Sequence, residues 1–183
     1  MRRATNAGWL VPYSADFHVI VRQPDEHGAG DLDAVVRDLA MIGLDRIAGY
    51  FDAGVVEAWT TMSGRALGTV PQLDARDLAQ SLRHGGVTLL DVRNENEWLT
   101  GHIFGARHVP LGHLVTRMSE VPKTKPVVVQ CQSGARSAIG ASLLLAHGYD
   151  RVINLTGGIG AWIEHGLPVV TEAADGSQVA AHN

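Results

Sequence analysis

The sequence predicts an α/β protein with a parallel sheet covered by helices. Short apolar runs alternate with helical patterns along most of the 183 residues. The runs contain few polar residues, which is typical of strands that are buried on both faces of a parallel sheet. Turn residues separate the two kinds of segment, as expected where each strand is followed by a helix.

Four apolar runs are predicted to be strands, at residues 17–21, 87–92, 126–130 and 151–155. Four helices are predicted at residues 31–41, 74–82, 94–100 and 136–147. Asp74 is a favourable N-cap residue, and Gly85-Gly86 can end the helix that follows it. The glycines of "TGGIGAW", Gly157, Gly158 and Gly160, predict a tight turn into a last helix. A nucleotide fingerprint would need a third glycine that is missing here.

Composition and charge exclude several classes of partner. The net charge is -4, and no basic block is available to neutralise a phosphate backbone, so nucleic acid is not an expected partner. No segment approaches the roughly 18 apolar residues of a membrane span, and the N-terminus has no signal core. We therefore expect a cytoplasmic protein that does not act at a membrane.

The chain has one cysteine, so it can form neither an internal disulfide nor a thiolate-rich metal site. His102, His108 and His113 are close in sequence, but their spacing matches no helix face and no nearby carboxylate completes a site. We predict that these histidines lie in turns and at the surface. Neither a metal nor another cofactor is expected.

An internal repeat is visible between residues 39–59 and 144–162. "GLDR" at 43–46 corresponds to "GYDR" at 148–151, and the Ala-Trp pair ending at Trp59 corresponds to the pair ending at Trp162. Both tryptophans are predicted to pack on a sheet. The stretch before the first copy is too short for a whole domain. We predict a partial domain at residues 1–68, a complete domain at 69–171 and a mobile tail at 172–183.

The cysteine lies in "CQSGARS", directly after the predicted strand at 126–130. Ligands bind at such strand-to-helix turns in α/β proteins. The small residues Ser133, Gly134 and Ala135 let main-chain N–H groups turn toward the sulfur of Cys131, and the next helix adds its positive end. Both effects favour the thiolate over the thiol. The predicted cradle consists of Gln132, Ser133, Gly134, Ala135, Arg136 and Ser137, with Arg136 orienting an anion.

Two alternative interpretations concern residues near this loop. A single cysteine at a strand end is often a small buried apolar residue with no chemical role. Asp91 and Arg93 lie on one side of a strand end, where they form either a supporting pair at the edge of the pocket or a structural ion pair. We favour the structural interpretation, and Glu97 is a candidate third member.

The loop resembles the active-site loop of the rhodanese family, in which an arginine lies five positions after the cysteine. "LLDVRNENEWLTGHIFGARHVPLGHL" and "NLTGGIGAWIEHGLPV" are similar to the other family motifs, in the same order, so the resemblance covers about residues 71–170. It implies a rhodanese-like fold and a sulfurtransferase in which Cys131 carries sulfur as a persulfide. The implied donor is thiosulfate or a low-molecular-weight persulfide, and the implied acceptor is cyanide or a thiol.

Two positions depart from the family pattern. Phe104 replaces a usual proline, which should not affect the chemistry. Gln132 replaces a basic residue that thiosulfate-using members often carry, which reduces the charge available for a dianion.

The first 60 residues resemble the back half of the silent rhodanese-like domain in fusions with a metallo-β-lactamase-fold persulfide dioxygenase. The dioxygenase domain and its iron ligands are missing from this sequence. The resemblance therefore leaves a second hypothesis open, a sulfur-carrier or scaffold module for a persulfide dioxygenase partner. A phosphatase or arsenate reductase is disfavoured, because the phosphatase loop has one more residue before its arginine.

Overall fold

The structure is a computed structural model that describes residues 2–22, 32–172 and 178–180. The chain divides into two compact units, Met1–Gly68 and Thr69–Asn183. In the residues that the structure describes, no helix combines the length and the apolar character needed to cross a bilayer.

In its described residues, the first unit contains two parallel strands and three helices. These elements are α1 (Arg2–Leu10), β1 (Phe17–Val21), α2 (Leu32–Ala40), β2 (Ile47–Asp52) and α3 (Val55–Ser63). The strand predicted at 17–21 has these bounds. Asp31, the predicted start of the helix at 31–41, lies outside the described residues.

The prediction that the strand at 17–21 is buried is wrong. Residues along β1 alternate between half-buried and exposed, and Ile20 is exposed. Trp59 was predicted to pack on a sheet as Trp162 does, but 45% of its surface is exposed, against 4% for Trp162. The physical reason is the small sheet: in the described part of this unit only β1 and β2 pair, which leaves little apolar surface to cover side chains.

The second unit contains a five-stranded parallel sheet in the order β3-β7-β6-β4-β5. Its strands and helices are β3 (Gln72–Leu73), α4 (Ala75–Arg83), β4 (Thr88–Asp91), α5 (Glu95–Leu99), β5 (Arg107–His108), β6 (Val127–Gln130), α6 (Ala135–Ala146), β7 (Val152–Leu155) and α7 (Gly158–Glu164). Short 3-10 turns at Leu111–His113 and Met118–Glu120 follow β5. Each predicted strand and helix of this unit is found, with its ends within one residue of the prediction.

Local sequence explains the helix ends. The Asp74 side chain accepts a hydrogen bond of 2.9 Å from the main-chain N–H of Asp77, so it caps α4 as predicted. Asn94 and Glu97 form a capping box at the start of α5. The capping box places α5 directly after β4, at the carboxyl end of the parallel strands, where Cys131 also lies.

Apolar side chains form two core clusters in this unit. Val127 and Val129 of β6 belong to one cluster, together with Leu144 of α6. Val128 belongs to the other cluster, together with Leu78 of α4 and Trp162 of α7. Because successive strand residues point to opposite faces, both faces of β6 are covered. This confirms the predicted α/β fold with a covered parallel sheet.

The two halves of the internal repeat end their helices in the same way. After α2, the Gly43 N–H bonds to the carbonyl of Ala40, and the next N–H bonds five residues back. After α6, the Gly148 N–H bonds to the carbonyl of Leu145, with the same five-residue bond following it. Both glycines have positive φ, near 80°. The repeated landmark is therefore a helix stop that requires glycine.

The last elements are two short antiparallel strands, β8 (Val170–Glu172) and β9 (Gln178–Ala180). The sequence predicted neither of them. The tail predicted at 172–183 lies partly outside the described residues, which omit 173–177 and 181–183.

Candidate functional site

Cys131 follows β6, the central strand of the sheet, and lies one short turn before α6. It is 1% exposed and belongs to the core cluster on the α6 side of the sheet. The packing interpretation of the cysteine therefore describes its burial correctly. The polar groups around its sulfur decide whether it is more than a packing residue.

The sulfur of Cys131 lies within hydrogen-bond distance of two donor groups in the loop. The main-chain N–H of Gly134 donates to Sγ at 3.2 Å, and the Ser137 hydroxyl lies 3.4 Å from Sγ. That hydroxyl also lies 3.0 Å from the Gly134 carbonyl. The twelve-residue helix α6 begins at Ala135, so its positive end is directed toward the same region. N–H groups and a helix end arranged in this way are typical of anion-binding loops.

Gly134 produces this geometry through its backbone. Its φ of 99° lies in a region that other residues rarely adopt. A Cβ at this position would lie 3.4 Å from the carbonyl oxygen of Leu155. Glycine therefore lets the chain turn sharply and aim its N–H at the sulfur.

The mouth of the loop is formed by its exposed residues. Gln132, Ser133 and Ala135 are exposed, whereas Gly134 and Ser137 are buried. Because Cys131 itself is almost inaccessible, a reactant has to approach between the exposed side chains.

Arg136 does not stand free over the loop, as an unpaired anion-orienting residue would. Its two terminal nitrogens donate to the two carboxylate oxygens of Glu97 at 2.6 and 2.7 Å. The hydrogen bond from Arg136 lowers the pKa of Glu97, and the bond to Glu97 raises the pKa of Arg136. The charge of Cys131 also contributes to the raised pKa of Arg136, so the two groups interact electrostatically.

Asp91 and Arg93 form a buried ion pair, as the structural interpretation predicted. The Arg93 guanidinium donates to Asp91 at distances down to 2.7 Å, and it also donates to the carbonyl of Gly101 at 2.8 Å. Both side chains are almost fully buried. Glu97 was the candidate third member of this group, but it pairs with Arg136 instead. The pair thus anchors the segment after β4 to the turn before β5.

The glycine-rich start of α7 also holds the cysteine loop. The N–H of Ile159 donates to the Cys131 carbonyl at 2.9 Å, and the N–H of Gly160 donates to the Gln132 carbonyl at 3.1 Å. A Cβ at Gly158 would lie 2.1 Å from the Cys131 carbonyl oxygen. The sequence predicted this turn but not its contact with the loop, since the two segments are more than twenty residues apart.

The prediction that all three histidines lie at the surface is wrong for His102. This residue is 0% exposed, and its ring stacks on Trp98 with ring centres 3.5 Å apart. His108 stacks on the same tryptophan at 4.7 Å and is part-buried, while His113 is exposed. Stacking on a large buried aromatic ring explains the burial. Within the described ranges, no three His, Cys, Asp or Glu residues are placed to hold a metal ion.

A family model described as "Rhodanese-like domain" matches residues 74–165. A protein of Allochromatium vinosum named "Sulfurtransferase" is 44% identical over 102 residues, which cover 55% of this chain and 95% of that protein. A "Thiosulfate sulfurtransferase GlpE" of Pseudomonas fluorescens is 33% identical over 84 residues, which cover 46% of this chain and 77% of the relative.

Solved structures show the same similarity. A rhodanese-related protein from Thermoplasma volcanium is 32% identical, with a TM-score of 0.52, and the match covers 56% of this chain and 99% of that one. A rhodanese-like domain from Anabaena is 31% identical, also with a TM-score of 0.52, over 63% of this chain and 91% of the other. These matches agree with the fold of the second unit.

Proposed function

Because the chain belongs to the rhodanese-like domain family, we propose that it is a sulfurtransferase that carries sulfane sulfur on Cys131. The observation that carries this proposal is the Gly134 N–H that donates to Sγ at the start of α6, with the Ser137 hydroxyl beside the same sulfur. A sulfur atom in this environment is stabilised as an anion. Two relatives named as sulfurtransferases support the same reaction class.

In the loading step, the Cys131 thiolate attacks the outer sulfur of the donor. A new bond forms between Sγ and that sulfur, while the bond between it and the rest of the donor breaks. Thiosulfate then leaves as sulfite, and a persulfide leaves as a thiolate. No proton has to be removed from the nucleophile, so no general base is required.

In the release step, an acceptor attacks the terminal sulfur of the Cys131 persulfide. Cyanide becomes thiocyanate, or a thiolate becomes a new persulfide, and Cys131 returns as the thiolate. The charges balance in both steps, and no oxidant or reductant is consumed. The main chain from Gln132 to Ser137 holds the terminal sulfur anion, which is the role that we propose for the predicted cradle.

Steady-state formation of thiocyanate from a sulfane donor and cyanide tests this function. Cys131→Ala should abolish turnover, because the chain has no other cysteine to carry the sulfur. Ser142→Ala is the matched control: Ser142 lies on the exposed side of the same helix. A Cys131→Ala protein with wild-type turnover would exclude the mechanism.

The second candidate function is a sulfur carrier or scaffold for a persulfide dioxygenase partner. The exposed apolar side chains of the first unit favour it, with Ile20, Tyr50 and Phe51 on or beside its two-stranded sheet. Exposed apolar patches and sheet edges are common docking surfaces. A carrier should load sulfur on Cys131 but release it slowly to cyanide alone.

Binding of a purified persulfide dioxygenase, followed by sedimentation, tests the carrier function. Tyr50→Ser should weaken the complex, and Ile163→Ser is the control, since Ile163 is an exposed apolar residue of the second unit. Fast turnover with cyanide, together with no binding of the dioxygenase, would exclude the carrier function and favour the enzyme.

A further inference from the structure

The charge at the mouth of the cysteine loop is neutralised by a residue outside the loop. Arg136 is the only charged side chain in residues 131–137. Glu97 of α5 binds it through both carboxylate oxygens. Such a two-point contact fixes the guanidinium and cancels its charge. The position next to the cysteine offers no second cation, since residue 132 is glutamine.

The electrostatic interaction between this mouth and an incoming donor therefore depends on the charge of the donor. With Cys131 as thiolate and Arg136 paired with Glu97, the side chains at this mouth carry a net negative charge, which the loop N–H groups offset only in part. Thiosulfate carries two negative charges on a small body, so it is repelled more strongly than a donor of lower charge. A hydropersulfide carries at most one charge at its reacting end, and it meets less repulsion. Part of the Arg136–Glu97 pair is buried, so solvent screens it less than a surface pair.

We propose that Glu97 is the specificity-determining residue of the site, and that by holding Arg136 it selects hydropersulfides over dianionic donors such as thiosulfate. This inference rests on the proposed sulfurtransferase function. Glu97 acts through Arg136 and does not touch the transferred sulfur, so it is a positioning residue.

Glu97 is also suited to substitution without loss of the fold. Its second contact is a capping bond of 3.2 Å from the Asn94 N–H. Glutamine serves equally well in a capping box. Glu97→Gln thus removes the charge and keeps the cap, whereas Glu97→Asp keeps the charge on a shorter side chain.

The test compares kcat/KM for thiosulfate and for glutathione persulfide, with cyanide as the acceptor. For the wild type we expect kcat/KM with glutathione persulfide to be higher by about tenfold, the scale of one partly screened charge interaction. Glu97→Gln should shift the ratio about tenfold toward thiosulfate, mainly through a lower KM for thiosulfate. Glu97→Asp should keep the wild-type preference for glutathione persulfide, because it keeps the negative charge. Glu164→Gln removes a charge elsewhere in the unit and should leave the ratio unchanged.

Different results would overturn the role of Glu97 and the proposed function. A wild type that uses both donors equally well, or a Glu97→Gln variant with an unchanged or lower preference for thiosulfate, would overturn the role of Glu97. Failure of both donors to place sulfur on Cys131 would instead overturn the proposed function itself.

Discussion

Replacement of Gly158 should destabilise the fold for two reasons, its left-handed backbone and the overlap of a Cβ with main-chain atoms. A control variant can separate the two costs. The φ of Gly158 is 58°, and a Cβ there would lie 2.1 Å from the Cys131 carbonyl oxygen and 2.8 Å from the carbonyl carbon of Gln132. Both contacts are with main chain, which cannot rotate away. Gly158→Ala therefore has to displace the cysteine loop.

Gly166 is the matched control. Its φ is 67°, but a Cβ at this position would have no heavy atom within 4 Å. Gly166→Ala should lower the free energy of unfolding by about 1 kcal/mol, the cost of the left-handed backbone alone. Gly158→Ala carries the same cost plus about 1–3 kcal/mol for overpacking, so its total is about 2–4 kcal/mol.

Urea unfolding of both variants measures these values, and thiocyanate formation measures the effect on the loop. We expect Gly158→Ala to lose most of its turnover, because the bond from the Ile159 N–H to the Cys131 carbonyl is pushed apart. Gly166→Ala should retain turnover. Equal destabilisation by the two variants, or full turnover of Gly158→Ala, would refute the reasoning.

Three further predictions concern ion pairs and a buried hydroxyl. Arg93→Ala should lower the free energy of unfolding by about 3–5 kcal/mol, since Asp91 is left buried without its cation. In a double-mutant cycle, adding Asp91→Ala to Arg93→Ala should lower the free energy of unfolding much less, because no buried charge is then left unpaired. The hydrogen bond from Arg136 lowers the pKa of Glu97 in the folded protein. The ionised carboxylate therefore stabilises the fold above the unfolded-state pKa of about 4.3, and this stabilisation is lost as the pH falls through the lower folded-state pKa. The stability difference between wild type and Glu97→Gln should thus stay constant at neutral pH and shrink below about pH 4; an increase toward acid would contradict it. Tyr149→Phe should cost about 1–2 kcal/mol in denaturant unfolding, because the single hydroxyl proton is shared between two main-chain carbonyl oxygens that lie 2.7 and 2.9 Å away; an unchanged midpoint would contradict this.

Local signals explain why the elements of the second unit could be predicted. Apolar runs bounded by glycine and by capping residues are short-range features, and Asp74 and Gly148 act as the sequence indicates. Strands β3 and β5 have two residues each, so they carry no periodic pattern. Their position depends on neighbouring strands, which a local pattern does not reveal.

The contacts of the candidate site were less predictable. The loop and its cysteine are visible as a motif, but the partner of Arg136 lies 39 residues earlier in the chain. The burial of His102 results from stacking on Trp98, and the exposure of Trp59 from a sheet with only two described strands. Each of these depends on which elements meet in space, so residue type alone does not determine it.

The central claim is that Cys131 carries the sulfur. Intact-protein mass spectrometry after a stoichiometric addition of glutathione persulfide tests this most directly. We predict the mass of one additional sulfur atom on the wild type, mapped to the peptide with Cys131 and lost on addition of cyanide as thiocyanate forms. A wild-type mass that stays unchanged, or added sulfur that cyanide does not remove, would contradict the account.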